Sequence, residues 1–424
     1  MGSINLQNWA GNYSYQANNI YYPESIEQLQ EIVRQATKIK ALGTRHSFND
    51  VADTTEALVS LAKLDQPLVL DEAKRQVTVG GGVRYGELCR FLADAGYALP
   101  NLASLPHISV VGACATGTHG SGMKNGNLAT AVAALQFVSA TGELVTLSRA
   151  EQPEQFAGAV VSLGGLGVIT SLTLDLLPTF DVRQLVYDHL PQADLAANFE
   201  AIMGAAYSVS LFTSWQTDAV EQVWLKQRMD DTPTQTPQPT FYGATLADAD
   251  RHPIRSQSAE YCTRQMGIPG PWHERLPHFR LEFTPSNGEE LQSEYFVPKE
   301  TGYAAFQAIK PLAEQVAPHL LISEVRTIAA DDLWLSPAYR QDSVAFHFTW
   351  KRDWPNVQKV LPLIEEALRP FRPRPHWGKL FTLSPVEVQA QYEKLPAFQA
   401  LLQQYDPTGK FRNPYLDKTI FSAE

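Results

Sequence analysis

The chain has 424 residues, 44% hydrophobic and 19% charged, enough apolar material for two or three packed cores. Its formal net charge of −11 and pI near 5.4 argue against nucleic acid or an acidic membrane surface as the main partner and leave neutral small molecules open. Cys89, Cys114 and Cys262 form no CxxC pair, which argues against a disulfide framework, zinc or an iron–sulfur cluster and fits a reducing, cytoplasmic setting. The first residues lack a basic start followed by an apolar core, and no apolar run approaches the roughly 18–20 residues of a bilayer span. Leu6 stands where a myristoylation signal needs Ser or Thr.

In chain order, the spacing first predicts a helix over 23–36. Ser25 and Gln28 have the spacing of a capping box, and Ile26, Leu29, Ile32, Val33 and Ala36 share one face. An apolar strand over 39–42 stops at Gly43. A strand over 76–79 runs into Gly80-Gly81-Gly82, and an amphipathic helix is expected over 84–95. Segments 135–139 and 143–147, joined by Ala140-Thr141-Gly142, have the pattern of a hairpin, and 167–176 alternates until Pro178 ends it. No regular βα alternation runs through this half, so the class predicted is α+β rather than a doubly wound parallel sheet.

From about Asp181, tryptophan, paired charge and proline increase. The Pro/Thr-rich stretch 229–252 is expected to be a long loop. Alternating runs at 280–283, 293–297, 321–328 and 344–350 predict an antiparallel sheet with one face exposed, and 354–368 a covering helix.

Familiar nucleotide and metal motifs are missing. There is no phosphate loop of the GxxxxGK type, and Gly117-Thr118-His119-Gly120-Ser121-Gly122 has the wrong order for a dinucleotide fingerprint. His273 and His278 are one residue too far apart for a zinc HExxH helix, with Pro277 between them. The richest segment is 101–126, where Gly112, Gly117, Gly120 and Gly122 alternate with Ser104, Ser109, Thr116, Thr118 and Ser121. Such backbone can approach a ligand closely, and its N–H groups and hydroxyls can cradle a pyrophosphate without lysine. Composition alone fits an ordinary Gly/Ser loop equally well. A second cluster, Gly164-Gly165-Leu166-Gly167, enters a strand at Val168 and Ile169 as a binding edge would. The third is Gly43-Thr44-Arg45-His46-Ser47-Phe48, where a histidine taken alone is more often a structural hydrogen-bonding residue.

Together, the Gly-x-x-His-Ser at the end of a strand, Gly80-Gly81-Gly82, the SLPHIS and ATGTHGSG runs and the SLGGLGVIT strand entry resemble the vanillyl-alcohol oxidase superfamily of FAD-binding (PCMH-type) flavoproteins. Within it the sequence is similar to the alditol oxidases over nearly its whole length, including AAYSVSLFT, GPWHERLPHFR, LQSEY, WLSPAY, HFTW and RPHWGK. The resemblance implies an FAD-binding domain over 1–178, a substrate domain on an antiparallel sheet over 179–375, and a C-terminal segment, 376–424, that returns to the flavin domain. The family links the flavin 8α-methyl carbon to a histidine, and the match is His46. Arg45 replaces the usual glycine there and could either perturb His46 or face solvent. Cofactor contacts implied by motif match are Gly43, Thr44, Arg45, His46, Ser47, Ser104, Ser109, Gly112, Thr116, Gly117, His119, Val168, Ile169 and Tyr415.

In the far half, Glu324 with Arg326 and His347 with Thr349 are spaced i, i+2, which places each pair on one strand face. Solvated ion pairs on an exposed strand would have the same pattern. The resemblance assigns Ser104, Gln292, Glu324, Arg326, His347, Thr349 and Lys379 to a polyol pocket, with Arg326, Lys379, His347 and Glu324 as catalytic groups and either His347 or Lys379 as proton acceptor. The implied reaction oxidises a terminal hydroxyl of xylitol or sorbitol to the aldose and reduces O2 to H2O2. A sugar-lactone-type flavin dehydrogenase and a non-enzymatic FAD or sugar binder are the alternatives, and the charged cluster argues against the binder. A monomer is expected, without nucleic acid, membrane or metal.

Overall fold

A computed structural model describes residues 6–65, 68–230, 236–282 and 289–422. Strands Asn19–Tyr21, Ile39–Ala41 and Ala57–Val59 form a small parallel sheet with Ala57–Val59 in the middle. Strands Val69–Asp71, Gln76–Gly80, Val132–Val138, Leu144–Ser148 and Val168–Asp175 form an antiparallel sheet in which Val168–Asp175 lies between Gln76–Gly80 and Val132–Val138. The expected hairpin closes at the Val138–Leu144 pair. The first helix is Ile26–Gln35; Ser25 accepts from the Gln28 N–H, but the Gln28 amide oxygen accepts from Glu24 rather than Ser25, so the capping box is only half reciprocal. Its buried Leu29 and Val33 share a core with Val59, Val138, Val168 and Phe411.

The third sheet has ten strands among the described residues. Its long strands run antiparallel in the order Asp181–Pro191, Ala219–Arg228, Ser208–Thr213, Leu320–Ile328, Ser343–Lys351 and Glu290–Pro298. Because side chains alternate between faces, Leu291, Tyr295, Val325, Val344, Phe346, Phe348 and Trp350 form one apolar face. They share a core with Ala305, Phe306 and Ile309 of the helix Gly302–Ile309 and with Val357, Leu361, Ile364 and Leu368 of Trp354–Leu368. Buried indole nitrogens there are satisfied: Trp350 donates to Ser293 Oγ at 2.9 Å and Trp215 to Ser323 Oγ at 2.8 Å.

The expectation that the opposite face meets solvent is corrected. Glu294, Glu324, Arg326, His347 and Thr349 on that face are all buried, because the glycine-rich first half and the segment around 252–279 lie over it. Alternation in sequence reports two different faces; it does not report what covers the polar one.

Other expectations also change. Three long strands, at 181–191, 208–213 and 219–228, were not expected, because buried polar residues such as Gln184, Gln222 and Lys226 break the apolar alternation. The expected 229–252 loop contains strands Thr240–Phe241 and Ala244–Leu246, joined by Tyr242 and Gly243 with φ of 46° and 81°, the left-handed pair of a tight hairpin turn. Residues 231–235 of that stretch lie outside the described residues. Residues 280–282 form no strand, and Phe283 lies outside the described residues. Within the glycine-rich segment, Val110–Ala115 is a short helix.

The chain's late residues return to its start: Asn413 donates to the carbonyls of Asp50, Val51 and Asp53, and the Lys410 carbonyl accepts from Ile39. Gly82 marks the close contact beneath the first half, where an added Cβ would lie 2.6 Å from the Leu61 carbonyl oxygen. Backbone cannot yield as a flexible side chain can. Gly82→Ala is therefore expected to cost about 1–3 kcal/mol, read as a lower urea midpoint; an unchanged midpoint would contradict the contact.

Candidate active site

Between the glycine-rich first half and the large sheet lies a cavity of about 560 Å³, within the usual range for cofactor and ligand sites. Gly43, Thr44, Arg45, His46, Ser47, Ser104, Ser109, Gly112, Thr116, His119 and Ile169 line it from one side, and Gln292, Glu324, Arg326, His347, Thr349 and Lys379 from the other. Three expected cofactor residues are not on its wall. Val168 points into the core with Leu29 and Phe411, since its strand alternates and Ile169 takes the cavity side. Gly117 is a turn residue with φ 64° packed against Pro337. Tyr415 is buried and donates to the Trp377 carbonyl at 2.9 Å, so it braces the turn that carries Lys379 instead.

On the first wall, Thr44 Oγ1 accepts the Ser109 N–H at 3.0 Å and lies 3.0 Å from His46 Nδ1. Its remaining hydrogen can then be donated to Nδ1, which leaves His46 neutral with its proton on Nε2. Burial, helped by the neighbouring His107, pulls the His46 pKa down to about 4. Trp9 stacks on the ring at 5.2 Å. Arg45 adopts a left-handed φ of 63° and turns its exposed side chain to the Gln7 carbonyl. Its side chain faces outward, at a backbone conformation that glycine adopts without penalty, while its charge adds to the lowering of the His46 pKa.

The wall fits a flavin dinucleotide. Bare backbone at Gly43 and Gly112 flanks Ser109, where an added Cβ would lie 2.7 or 2.6 Å from Oγ. Hydroxyls of Ser104, Ser109, Thr116 and Thr118 share the wall with the glycines, which suits a phosphate cradle built from neutral donors. Lys40 also lines this side, but its ammonium is spent inward on the Leu163 and Gly164 carbonyls, each at 3.1 Å.

On the second wall, strand register places Glu294, His347, Glu324 and Phe212 in one row across four strands, with Gln292 opposite Thr349 in the next row on one side and Arg326 in the next row on the other. Glu294 is the centre of the charge. Its Oε1 accepts from Arg326 at 2.8 Å and lies 3.1 Å from His119 Nε2, while its Oε2 accepts from Lys379 at 2.6 Å. Burial alone would raise its pKa, but Lys379, His119 and Arg326 outweigh it and hold the carboxyl well below the usual range. Glu324 is likewise held low against burial by Arg326 and His278, whose Nε2 lies 2.8 Å from its Oε1. Burial, followed by Lys379, holds His347 neutral; its Nδ1 accepts from Lys379 at 2.9 Å, and its Nε2 faces Thr349 Oγ1 at 3.0 Å. Burial also lowers the Lys379 pKa despite Glu294. Gln292 donates to Glu290 at 2.6 Å, and the Ser104 carbonyl accepts from the backbone of His278.

Glu294 and His278 were not assigned to the site from sequence. Glu294 shares the strand face of Gln292, so alternation could have found it; His278 stood in a run read only for its family likeness and for a zinc motif it lacks.

A family model described as FAD binding domain matches residues 17–148, and one described as D-arabinono-1,4-lactone oxidase matches residues 286–419. The alditol oxidase of a Streptomyces species is 48% identical over 417 residues, covering 98% of both chains. L-gulonolactone oxidase of Bos taurus is 26% identical, covering 99% of this chain and 98% of that one, and L-gulono-1,4-lactone dehydrogenase of Mycobacterium tuberculosis is 27% identical, covering 97% and 98%. The solved cholesterol oxidase from B. sterolicum has a TM-score of 0.79 at 14% identity, covering 98% of this chain and 96% of that chain, a likeness of fold alone. Among the described residues, no helix is long and apolar enough to cross a membrane.

Glu294→Gln would leave Lys379 and Arg326 buried without their shared anion, a loss of about 3–5 kcal/mol when a buried pair is broken. The sign with pH follows from the lowered carboxyl: its contribution is present above the unfolded value of about 4.3 and is lost as pH falls through the folded one. Urea midpoints should therefore differ strongly at neutral pH and converge in acid; parallel curves would show that Glu294 does not carry this charge balance.

Proposed function

Since this chain belongs to the alditol oxidase family of FAD-dependent oxidoreductases, we propose that it oxidises a terminal hydroxyl of a polyol such as xylitol or sorbitol to the aldose while O2 becomes H2O2. The observation that carries this reading is the convergence of Gln292, Glu324, Arg326, His347, Thr349 and Lys379 on one cavity wall. A flexible neutral polyol offers little but hydroxyls, so its recognition needs many converging donors and acceptors. The flavin-binding unit is read as 1–178 with 376–424, and the substrate unit as 179–375.

When bound, FAD supplies the acceptor for the hydride leaving the substrate carbon and the site at which O2 is reduced. His46 is the proposed attachment point, supported by its place on the cavity wall and its neutral imidazole. Gly43, Thr44, Ser104, Ser109, Gly112, Thr116, His119 and Ile169 would hold the cofactor.

Of the two candidate proton acceptors, geometry favours Lys379. Both ring nitrogens of His347 already have partners, in Lys379 and Thr349. A neutral Lys379 can donate its two N–H groups to Glu294 and His347 and keep a lone pair for the substrate hydroxyl. Burial lowers its pKa toward that neutral form, and Glu294 steadies the ammonium once the proton has arrived. Arg326 stays cationic, since Glu324 and Glu294 outweigh burial, and presents fixed positive charge on the same wall.

Purified protein is expected to be yellow, and the colour should stay with an acid-precipitated pellet in wild type but wash free of His46→Ala. Colour released from the wild type would exclude the covalent link. Arg326→Met and Lys379→Met should each slow flavin reduction by about 10²–10³-fold. In kcat/KM, xylitol and sorbitol should far exceed ethanol, benzylic alcohols and glycerol, because stranded polar groups discriminate against substrates with fewer hydroxyls. Comparable rates on simple alcohols would defeat the polyol assignment, and dye turnover without peroxide would point to a dehydrogenase.

A further inference from the structure

Behind Glu324 lies a buried pair that the reaction as described does not use. Lys226, on the strand Ala219–Arg228, is 1% exposed. Its Nζ donates to the carbonyls of Leu276 at 2.5 Å and Pro277 at 3.0 Å, and lies 3.1 Å from His278 Nδ1. Burial pulls the Lys226 pKa down to about 7, against the pull of Glu324; its ammonium form has three N–H groups and no acceptor, and these three partners use all of them. His278 Nδ1 must then be the accepting nitrogen, and the ring proton sits on Nε2, facing Glu324 Oε1 at 2.8 Å. Edge contacts from Phe212 at 5.6 Å and Trp224 at 5.2 Å fix the ring plane.

The consequence falls on the carboxylate. Oε1 is occupied by the imidazole N–H, whereas Oε2 is 3.5 Å from Arg326 Nε, itself a buried donor without a hydrogen-bond partner. We propose that Lys226 and His278 are positioning residues for Glu324: the lysine fixes the imidazole as its Nε2–H tautomer, and the imidazole fixes which carboxylate oxygen remains for a substrate hydroxyl. Without the ammonium, the ring could move its proton to Nδ1, toward the Leu276 and Pro277 carbonyls. Its Nε2 lone pair would then face Oε1, and the carboxylate would be repelled from its place. On the other side of the wall, Lys379, His347 and Thr349 repeat the arrangement, a lysine N–H given to Nδ1 of an imidazole whose Nε2 faces a hydroxyl. The inference about substrate rests on the polyol reading; the tautomer does not.

Two measurements on the holoenzyme test it. With histidine labelled by nitrogen-15, the signal lost in His278→Gln identifies this ring, and a neutral Nε2–H form is expected at neutral pH. An Nδ1–H form or an imidazolium overturns the proposal whatever the substrate. In anaerobic flavin reduction by xylitol, His278→Leu should lower the apparent second-order rate constant about 10- to 100-fold, and His278→Gln, whose amide can donate from a similar place, should recover most of it. In a Glu324→Gln background, the loss from His278→Leu should shrink to within about twofold, the mark of residues acting through one another. Equal losses in both backgrounds would mean that His278 only packs, and would overturn the positioning role. Wild type that no polyol reduces would instead defeat the proposed function, and the nitrogen spectra would still decide the tautomer. Should His278→Leu fail to fold, Lys226→Met serves in its place, with a shift of the His278 tautomer expected and an unchanged one counting against the proposal.

Discussion

Glu294 is fully buried, and three cationic or protonatable groups from three parts of the chain close on it: His119 from the glycine-rich segment, Arg326 from the sheet strand Leu320–Ile328, and Lys379 from the turn after the short strand Arg374–Pro375. Desolvating a carboxylate costs several kcal/mol, and so does desolvating each cation, so none of these groups tolerates the interior alone. Each is held there by the others. The first half, the sheet and the Lys379 turn must therefore reach their native positions together, and the cavity between them acquires its walls as a by-product of charge balance.

That balance also sets the chemistry. A buried lysine beside a carboxylate can change protonation state without either partner facing water, and a buried arginine keeps its charge in the same place. The two lysine–histidine pairs extend the principle to hydrogen-bond direction. Each lysine that gives an N–H to an imidazole nitrogen narrows the choice of tautomer, so the wall presents an ordered array of donors and acceptors to a flexible ligand, and less order has to be imposed when the ligand arrives.

Much of this was legible in the sequence, and the losses have definite causes. The helix 354–368 and the strands at 321–328 and 344–350 are legible because apolar residues recur at the right period. The same period puts Glu324 with Arg326, and His347 with Thr349, on one strand face, but only the family resemblance makes that face a site rather than a row of solvated ion pairs. The strand 219–228 was missed for the converse reason: Glu221, Gln222 and Lys226 are polar yet buried, and only tertiary partners make them tolerable. Val168 and Ile169 could both be tied to the glycine cluster before them, but one residue of strand parity decides which meets the cavity. Tyr415 was linked to the flavin by proximity of its segment, whereas its hydroxyl in fact serves the backbone one layer out.

The Trp377 carbonyl accepts from both Asn49 and Tyr415, and Lys38 donates to the Gly409 carbonyl across 371 positions of chain. Contacts of such separation pay their loop-closure entropy before returning any packing. During synthesis, the first 178 residues emerge long before the segment that completes their surface, and the turn bearing Lys379 stays unbraced until residues 413–415 have left the ribosome. The nascent flavin cradle thus precedes the completed reactive wall by nearly half the chain, an order in which cofactor can be captured before a competent site exists.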